Sequence, residues 1–304
     1  MDGTTRWARI RLVAGAAILV VLVLRLGARP FLDGLARTDP RAIAFALAVT
    51  ALTTACCARR WSLVADGLGV GLPFAAAYRT CYRAQVLNAT LPGGVAGDLH
   101  RGYRHGRDTG ALGRGLRSVV WDRASGQAVQ VALAAAAVPL LPGALRGWVL
   151  GALAVIVLGA GIVLVAFPAV RREAVAALGR GWPEVVLLSA VAAGGHVAVF
   201  VVAARTAGVG GPMSRLVALA LLVLLASAIP LGIAGWGPRE GAAAGAFASA
   251  GLGATVGVEV AVVYGVLSLA ATLPGLLVLR SPRASYPVRT ARGGPAWVSG
   301  PTSS

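Results

Sequence analysis

Long uncharged runs separated by short arginine-bearing segments dominate the chain. Stretches free of Asp, Glu and Arg cover residues 12–24, 42–58, 124–145, 147–170, 185–204, 216–238, 241–258 and 260–279. A helix needs roughly 17–25 mostly apolar residues to span a bilayer's hydrocarbon core, and most of these runs reach that length. The pattern predicts an all-α fold, a polytopic transmembrane helix bundle with about eight crossings. Segment 241–258 departs from it. Up to Ala250 it would cover only about 15 Å as a helix, half the hydrocarbon core, and Gly251, Gly253 and Gly257 follow. It reads as a half-span.

The connections carry their own information. Segment 59–118 is long and contains 74–88, apolar and aromatic yet bearing Arg79 and Arg83 four residues apart. That suits either an interfacial amphipathic helix or the arm of a re-entrant loop. Arg6, Arg9 and Arg11 precede the first run as in a signal peptide, but no small-x-small cleavage site follows, so it reads as an uncleaved first span. Residues 1–280 are expected to form one transmembrane domain, and the Pro-, Gly-, Ser- and Arg-rich stretch 281–304 a disordered tail.

Composition agrees with a bilayer environment: 57% hydrophobic, 13% charged and a mean hydropathy of +0.78. Soluble domains carry about 25% charged residues. All 28 basic residues are arginine, giving a net charge of +17, so a phosphate-loop lysine and Schiff-base chemistry are excluded. The arginines lie between apolar runs, where anionic lipid head groups, not nucleic acid, are the nearer partner. With the N-terminus inside, inner segments hold fifteen arginines against seven outside, which predicts a cytoplasmic N-terminus in a multi-pass protein of the bacterial inner membrane. Cys56, Cys57 and Cys81 have neither metal-ligand nor disulfide-framework spacing. No cofactor or metal is expected, and no linear catalytic signature or nucleotide fingerprint is present.

A repeat marks a candidate site. Residues 91–101 read LPGGVAGDLHR and residues 229–239 read IPLGIAGWGPR, identical at five of eleven positions. Pro and clustered Gly stop a helix and leave backbone groups without partners, so such a break must face protein or a polar cavity. Paired interruptions in two halves of a membrane protein point to a transporter's binding site. The expected helix breaks are Pro92, Gly93, Gly94 and Gly97 in one half, and Pro230, Gly232 and Gly235 in the other. Charge follows each: Asp98 and Arg101, then Arg239 and Glu240.

These residues, with VVWDR at 119–123 and the run on to Gly241, resemble the lysylphosphatidylglycerol synthase transmembrane region family, also called the flippase-like domain. The resemblance spans about 10–279. It implies an inner-membrane protein associated with moving a modified phospholipid to the outer leaflet. Fused members also carry a soluble aminoacyltransferase domain. With 25 residues after Leu279, no such domain and no synthase activity are expected here.

Ionisable residues at membrane depth are functional candidates by default. Arg79, Arg83, Asp98, Arg101, Arg104, Asp122, Arg123, Arg239, Glu240 and Glu259 are therefore the expected head-group-binding or gating residues, since guanidinium pairs well with phosphate oxygens. His196, mid-span, reads as a hydrogen-bonded core histidine. The expected function is translocation of a phospholipid or lipid-linked head group. The alternative is a docking partner for a separately encoded lipid-modifying transferase.

Overall fold

The computed structural model describes residues 28–91, 94–228 and 237–279, together with residues 20, 23–24, 288–289 and 295–296. The fold is all-helical. Helix α1 spans Arg29–Ala36, α2 Pro40–Gly67, α3 Phe74–Thr90, α4 Ala96–Asp108, α5 Leu112–Ala137 and α6 Gly143–Ala166. There follow α7 Pro168–Leu178, α8 Trp182–Thr206, α9 Met213–Ser227, α10 Pro238–Ser249, α11 Ala254–Thr272 and α12 Pro274–Leu279. Residues Val288–Arg289 and Pro295–Ala296 form a two-residue strand pair. The expected first span at 12–24, most of the tail, and Pro92, Gly93, Pro230, Gly232 and Gly235 lie outside the described residues.

Among the described residues, four helices are long and apolar enough to cross a membrane: Pro40–Gly67, Gly143–Ala166, Trp182–Thr206 and Ala254–Leu277, the last joining α11 to α12. Three boundaries differ from the uncharged runs. The run 42–58 continues as helix to Gly67, and the run 124–145 begins at Leu112 and ends at Ala137. In both, charged residues extend the helix because neighbouring helices neutralise them: Arg59 and Arg60 reach Glu184 and Asp122. The run 216–238 holds a helix of only 15 residues, Met213–Ser227. Segment 241–258 is divided as its glycines suggest. Helix α10 stops at Ser249, Gly251 takes φ 70°, and α11 starts at Ala254.

Helix α2 starts at a local signal, with Pro40 at its first position and the Asp39 side chain accepting from the Arg41 amide at 2.8 Å. Its 28 residues extend about 42 Å, longer than the hydrocarbon core, so the end bearing Arg59 and Arg60 reaches beyond a purely apolar layer. Helix α6 is apolar on every side and almost wholly exposed, as lipid-facing surface requires.

Small residues set the closest helix approaches, as expected where lipid removes the hydrophobic drive for association. A Cβ on Gly195 of α8 would come within 2.4 Å of Thr53 on α2, and one on Gly257 of α11 within 2.3 Å of the Ala243 carbonyl on α10. Gly106 of α4 and Gly115 of α5 abut with equally little room. One core, containing Phe200, Leu219, Phe247 and Leu267, joins α8 to α11. A second surrounds Trp61 with Ala65, Val70, Leu72 and Val119.

Two helix-pair units result: α3 and α4, flanking 91–95, and α9 and α10, flanking 228–237. Helix α3 packs between α2, α4 and α12. Segment 74–88 is thus helical and packed against neighbouring helices, within Phe74–Thr90.

Candidate functional site

Five charged side chains from three helices form an alternating chain. Arg123 of α5 donates to Asp98 Oδ2, and Arg101 Nε donates to Asp98 Oδ1 at 2.9 Å. Arg101 Nη2 continues to Asp122 Oδ2 at 2.6 Å, and Arg60 Nε of α2 reaches Asp122 Oδ1 at 2.7 Å. Arg60 ends on Ser189 Oγ of α8 at 3.1 Å. Three guanidinium groups thus face two carboxylates. Arg60, Arg101 and Asp122 are buried, whereas the Arg123 side chain is 47% exposed.

The break before α4 aims this chain. Asn88, near the end of α3, donates to Asp98 Oδ2 at 3.0 Å and accepts from the Gly97 amide at 2.8 Å. One amide side chain therefore caps the new helix and orients its acid. Gly94, inside the break, has φ 62°, the left-handed region that favours glycine. Gly97 is not part of the break. It lies in the first turn of α4, where a Cβ would stand 2.1 Å from the Ala84 carbonyl. It is glycine because α3 and α4 touch there.

Arg101 is further fixed by the Trp61 ring, 4.6 Å from its Cζ, and by Cys81 Sγ at 3.7 Å. Trp61 Nε1 donates to Ser118 Oγ at 3.0 Å, and the ring meets His105 edge-on. His105 lies outside the spans. Burial holds its pKa below the ordinary imidazole value, and Nε2 of the neutral ring donates to the Val70 carbonyl at 2.7 Å.

The second unit repeats the theme with other partners. Arg239, at the start of α10, donates to Glu240 Oε1 from Nε at 2.9 Å and Nη2 at 2.6 Å. Glu240 Oε2 accepts from the Gly237 amide at 2.7 Å, and the Arg239 guanidinium lies 5.5 Å from the Tyr264 ring centroid. Arg101 and Arg239, equivalent in the sequence repeat, are thus both buried, carboxylate-bound and stacked on an aromatic ring.

Both units face one cavity of about 420 Å³, within the range of small-molecule sites. Of the expected site residues, Asp98, Arg101, Asp122, Arg123 and Arg239 line it, and Glu240 stands behind Arg239. Arg79, Arg83 and Arg104 do not. Arg79 turns back onto the Ala75 carbonyl, and Arg83 lies within electrostatic range of Arg104. Glu259 is also elsewhere, 3.8 Å from Arg37.

Sequence reasoning missed Arg60, Gln85, Asn88, His196 and Tyr264, all on the cavity wall. Arg60 was concealed as one of many inner arginines. The sole hint was that the helical pattern continues past it through Trp61, Leu63 and Val64. His196, read as a core residue, instead opens into the cavity and has no hydrogen bond among the described residues. Among the described residues, no cluster of His, Cys, Asp or Glu has metal-site geometry.

The family model described as the lysylphosphatidylglycerol synthase TM region matches residues 8–275, and the chain belongs to that family. It is an integral membrane protein related to lipid metabolism or flipping. No curated protein and no solved structure matches the chain.

Proposed function

We propose that this member of the lysylphosphatidylglycerol synthase transmembrane-region family moves a phospholipid or lipid-linked head group between leaflets of the bacterial inner membrane. The observation that carries this reading is one polar cavity lined by both helix-pair units and by four arginines. A head group crossing a bilayer needs such a wet path, because uncompensated charge is costly in hydrocarbon. Acyl chains stay in lipid while the phosphate exchanges hydration for guanidinium. Arg123 is the first contact, since its half-exposed side chain is held, among the described residues, by Asp98 alone. Arg101 and Arg239, fixed by rings and carboxylates, present the remaining positive field. Rocking of the two units about the cavity would expose it alternately. Asp122 and Glu240 hold arginines in place and are assigned no chemistry on the lipid. The N-terminus is assigned to the cytoplasm by the arginine distribution.

The test is leaflet exchange of fluorescent phospholipid in vesicles containing the purified protein, read with a membrane-impermeant quencher. Faster exchange than in empty vesicles, lost in Arg123→Gln and Arg239→Ala proteins that retain wild-type thermal stability, supports the reading. Exchange equal to that of empty vesicles refutes it. A second reading, a dock for a separate transferase, draws on Arg79, Arg83 and Arg104, which lie outside the cavity wall. A transferase retained through purification with this chain, and released by Arg79→Glu, would favour it.

A further inference from the structure

Helix α4 leaves the apolar layer alongside the far end of α2. Arg101 stacks on Trp61, and one turn later His105 donates to the Val70 carbonyl, so the two helices run the same way past Arg60. Gly97 and Arg101 turn toward α3, and Gly102 and Gly106 turn toward α5. The arc of α4 left facing outward carries Leu99, His100, Tyr103, Arg104 and Arg107. None of these lines the transport cavity, and neither does Arg83 of α3.

Like charges gather on this arc. Arg83 reaches it from α3 and lies within electrostatic range of Arg104, and His100 lies within range of both. Burial, then those two guanidinium groups, hold the His100 pKa below the ordinary imidazole value, so the fixed charge belongs to the arginines. Arg107 follows Arg104 by one turn, about 5–6 Å along the same face. The side chains of His100, Arg104 and Arg107 make no hydrogen bond or ion pair among the described residues. The acid nearest in sequence, Asp108, lies within range of His105. Set against Arg83, Arg104 and Arg107, it still leaves two positive charges. Their mutual repulsion is relieved by an anion of matching charge. The apolar neighbours decide what kind. Leu99 and Tyr103, 62% and 51% exposed, precede Arg104 and Arg107 along α4 and so stand nearer the hydrocarbon. Apolar surface on the bilayer side and cationic surface beyond it is the order of a phospholipid.

We propose that the outward face of α3 and α4 is a fixed binding site for a lipid of the surrounding leaflet that carries two phosphodiesters. One phosphate bridges Arg83 and Arg104, the second meets Arg107, and the acyl chains pass over Tyr103 and Leu99. This lipid is held and not carried across, because its site lies outside the transport cavity. Clusters of basic residues at the cytoplasmic ends of membrane helices hold anionic head groups. The arginine distribution that assigns the N-terminus to the cytoplasm assigns this end of α4 there too.

Native mass spectrometry of the delipidated full chain, offered tetraoleoyl cardiolipin, dioleoyl phosphatidylglycerol and dioleoyl phosphatidylcholine, tests it. One cardiolipin should be retained at least about tenfold more tightly than either other lipid, since two linked phosphates bind as one. Replacing both Arg104→Gln and Arg107→Gln should abolish that preference, whereas Arg123→Gln at the cavity should keep it. Should the double variant fail to fold, Arg107→Gln alone, on an exposed side chain, reads the same loss. Equal retention of cardiolipin and phosphatidylglycerol overturns the assignment, and so does a preference that survives the loss of Arg107. Pyrophosphate separates a lipid from a soluble diphosphate. Cardiolipin should raise the thermal midpoint in detergent, and pyrophosphate at equal phosphate concentration should not. An equal rise with pyrophosphate overturns the lipid assignment. So does a protein partner that stays bound through purification, excludes cardiolipin and is released by the arginine variants.

Discussion

The guanidinium of Arg101 lies 4.6 Å from the centre of the Trp61 ring, stacking a buried charge of α4 on an aromatic face of α2. The same indole donates to Ser118, so one side chain ties α2 to both α4 and α5. Trp61→Leu removes both links. It should lower the thermal midpoint in detergent, with the stacking alone worth about 2 kcal/mol when desolvated. Trp61→Phe keeps the ring face and loses the indole donor, and should fall between. A midpoint for the leucine variant equal to wild type would show that the stacking contributes nothing.

Asp122 is the acceptor on which the charged chain depends, one oxygen to Arg60 and the other to Arg101. Asp122→Asn keeps the volume but leaves buried Arg60 without its carboxylate and Arg101 with Asp98 alone. Breaking a buried pair from one side costs about 3–5 kcal/mol. Expression in the membrane should drop steeply, more than for Arg123→Gln, whose side chain is half-exposed. Pairing Asp122→Asn with Arg60→Gln should recover part of the loss, and a double-mutant cycle on thermal midpoints measures how much.

Three glycines separate close packing from backbone freedom. Gly97→Ala places a Cβ 2.1 Å from a carbonyl oxygen of α3 and should prevent the α3–α4 contact, seen as loss of the folded protein in size-exclusion chromatography. Gly94→Ala meets no atom within 4 Å but must hold φ 62°, so it should fold with a reduced midpoint. Gly159→Ala on α6 meets nothing and removes a helix-interior glycine, so it should be neutral or stabilising by about 1 kcal/mol at most.

His105 makes stability depend on pH. Its folded-state pKa is depressed by burial, so below the unfolded imidazole value the unfolded chain binds the extra proton. The stabilisation is complete above that unfolded value, about 6.5, and is lost progressively as pH falls below it toward the depressed folded pKa. The thermal midpoint should therefore drop between pH 7.5 and pH 5.5. The drop should be smaller in His105→Gln, whose amide can still donate to the Val70 carbonyl. Equal drops in the two proteins would remove His105 as the cause.

What the sequence determined by itself is one-dimensional. Hydropathy and run length identified an all-α membrane bundle, because lipid leaves a spanning segment no alternative to satisfying its backbone internally. Pro and Gly within apolar runs marked where breaks were to be expected, because a helix that stops inside an apolar layer needs residues of that kind, and the repeat paired Arg101 with Arg239. The tertiary structure decided which charges meet. Arg60 joins the site only because α2 continues past its apolar stretch and lies against α5, and Glu259 leaves it because α1 brings Arg37 alongside. Gly97 looked like a break because glycine serves both a turn and a close helix contact, and only the distance to Ala84 separates the two. His196 and Tyr264 lie on α8 and α11 at positions where the sequence offers a core residue equally well. Their place on a polar cavity depends on the packing between helices, because Coulombic and hydrogen-bond partners are fixed by distances in space that spacing along the chain does not set.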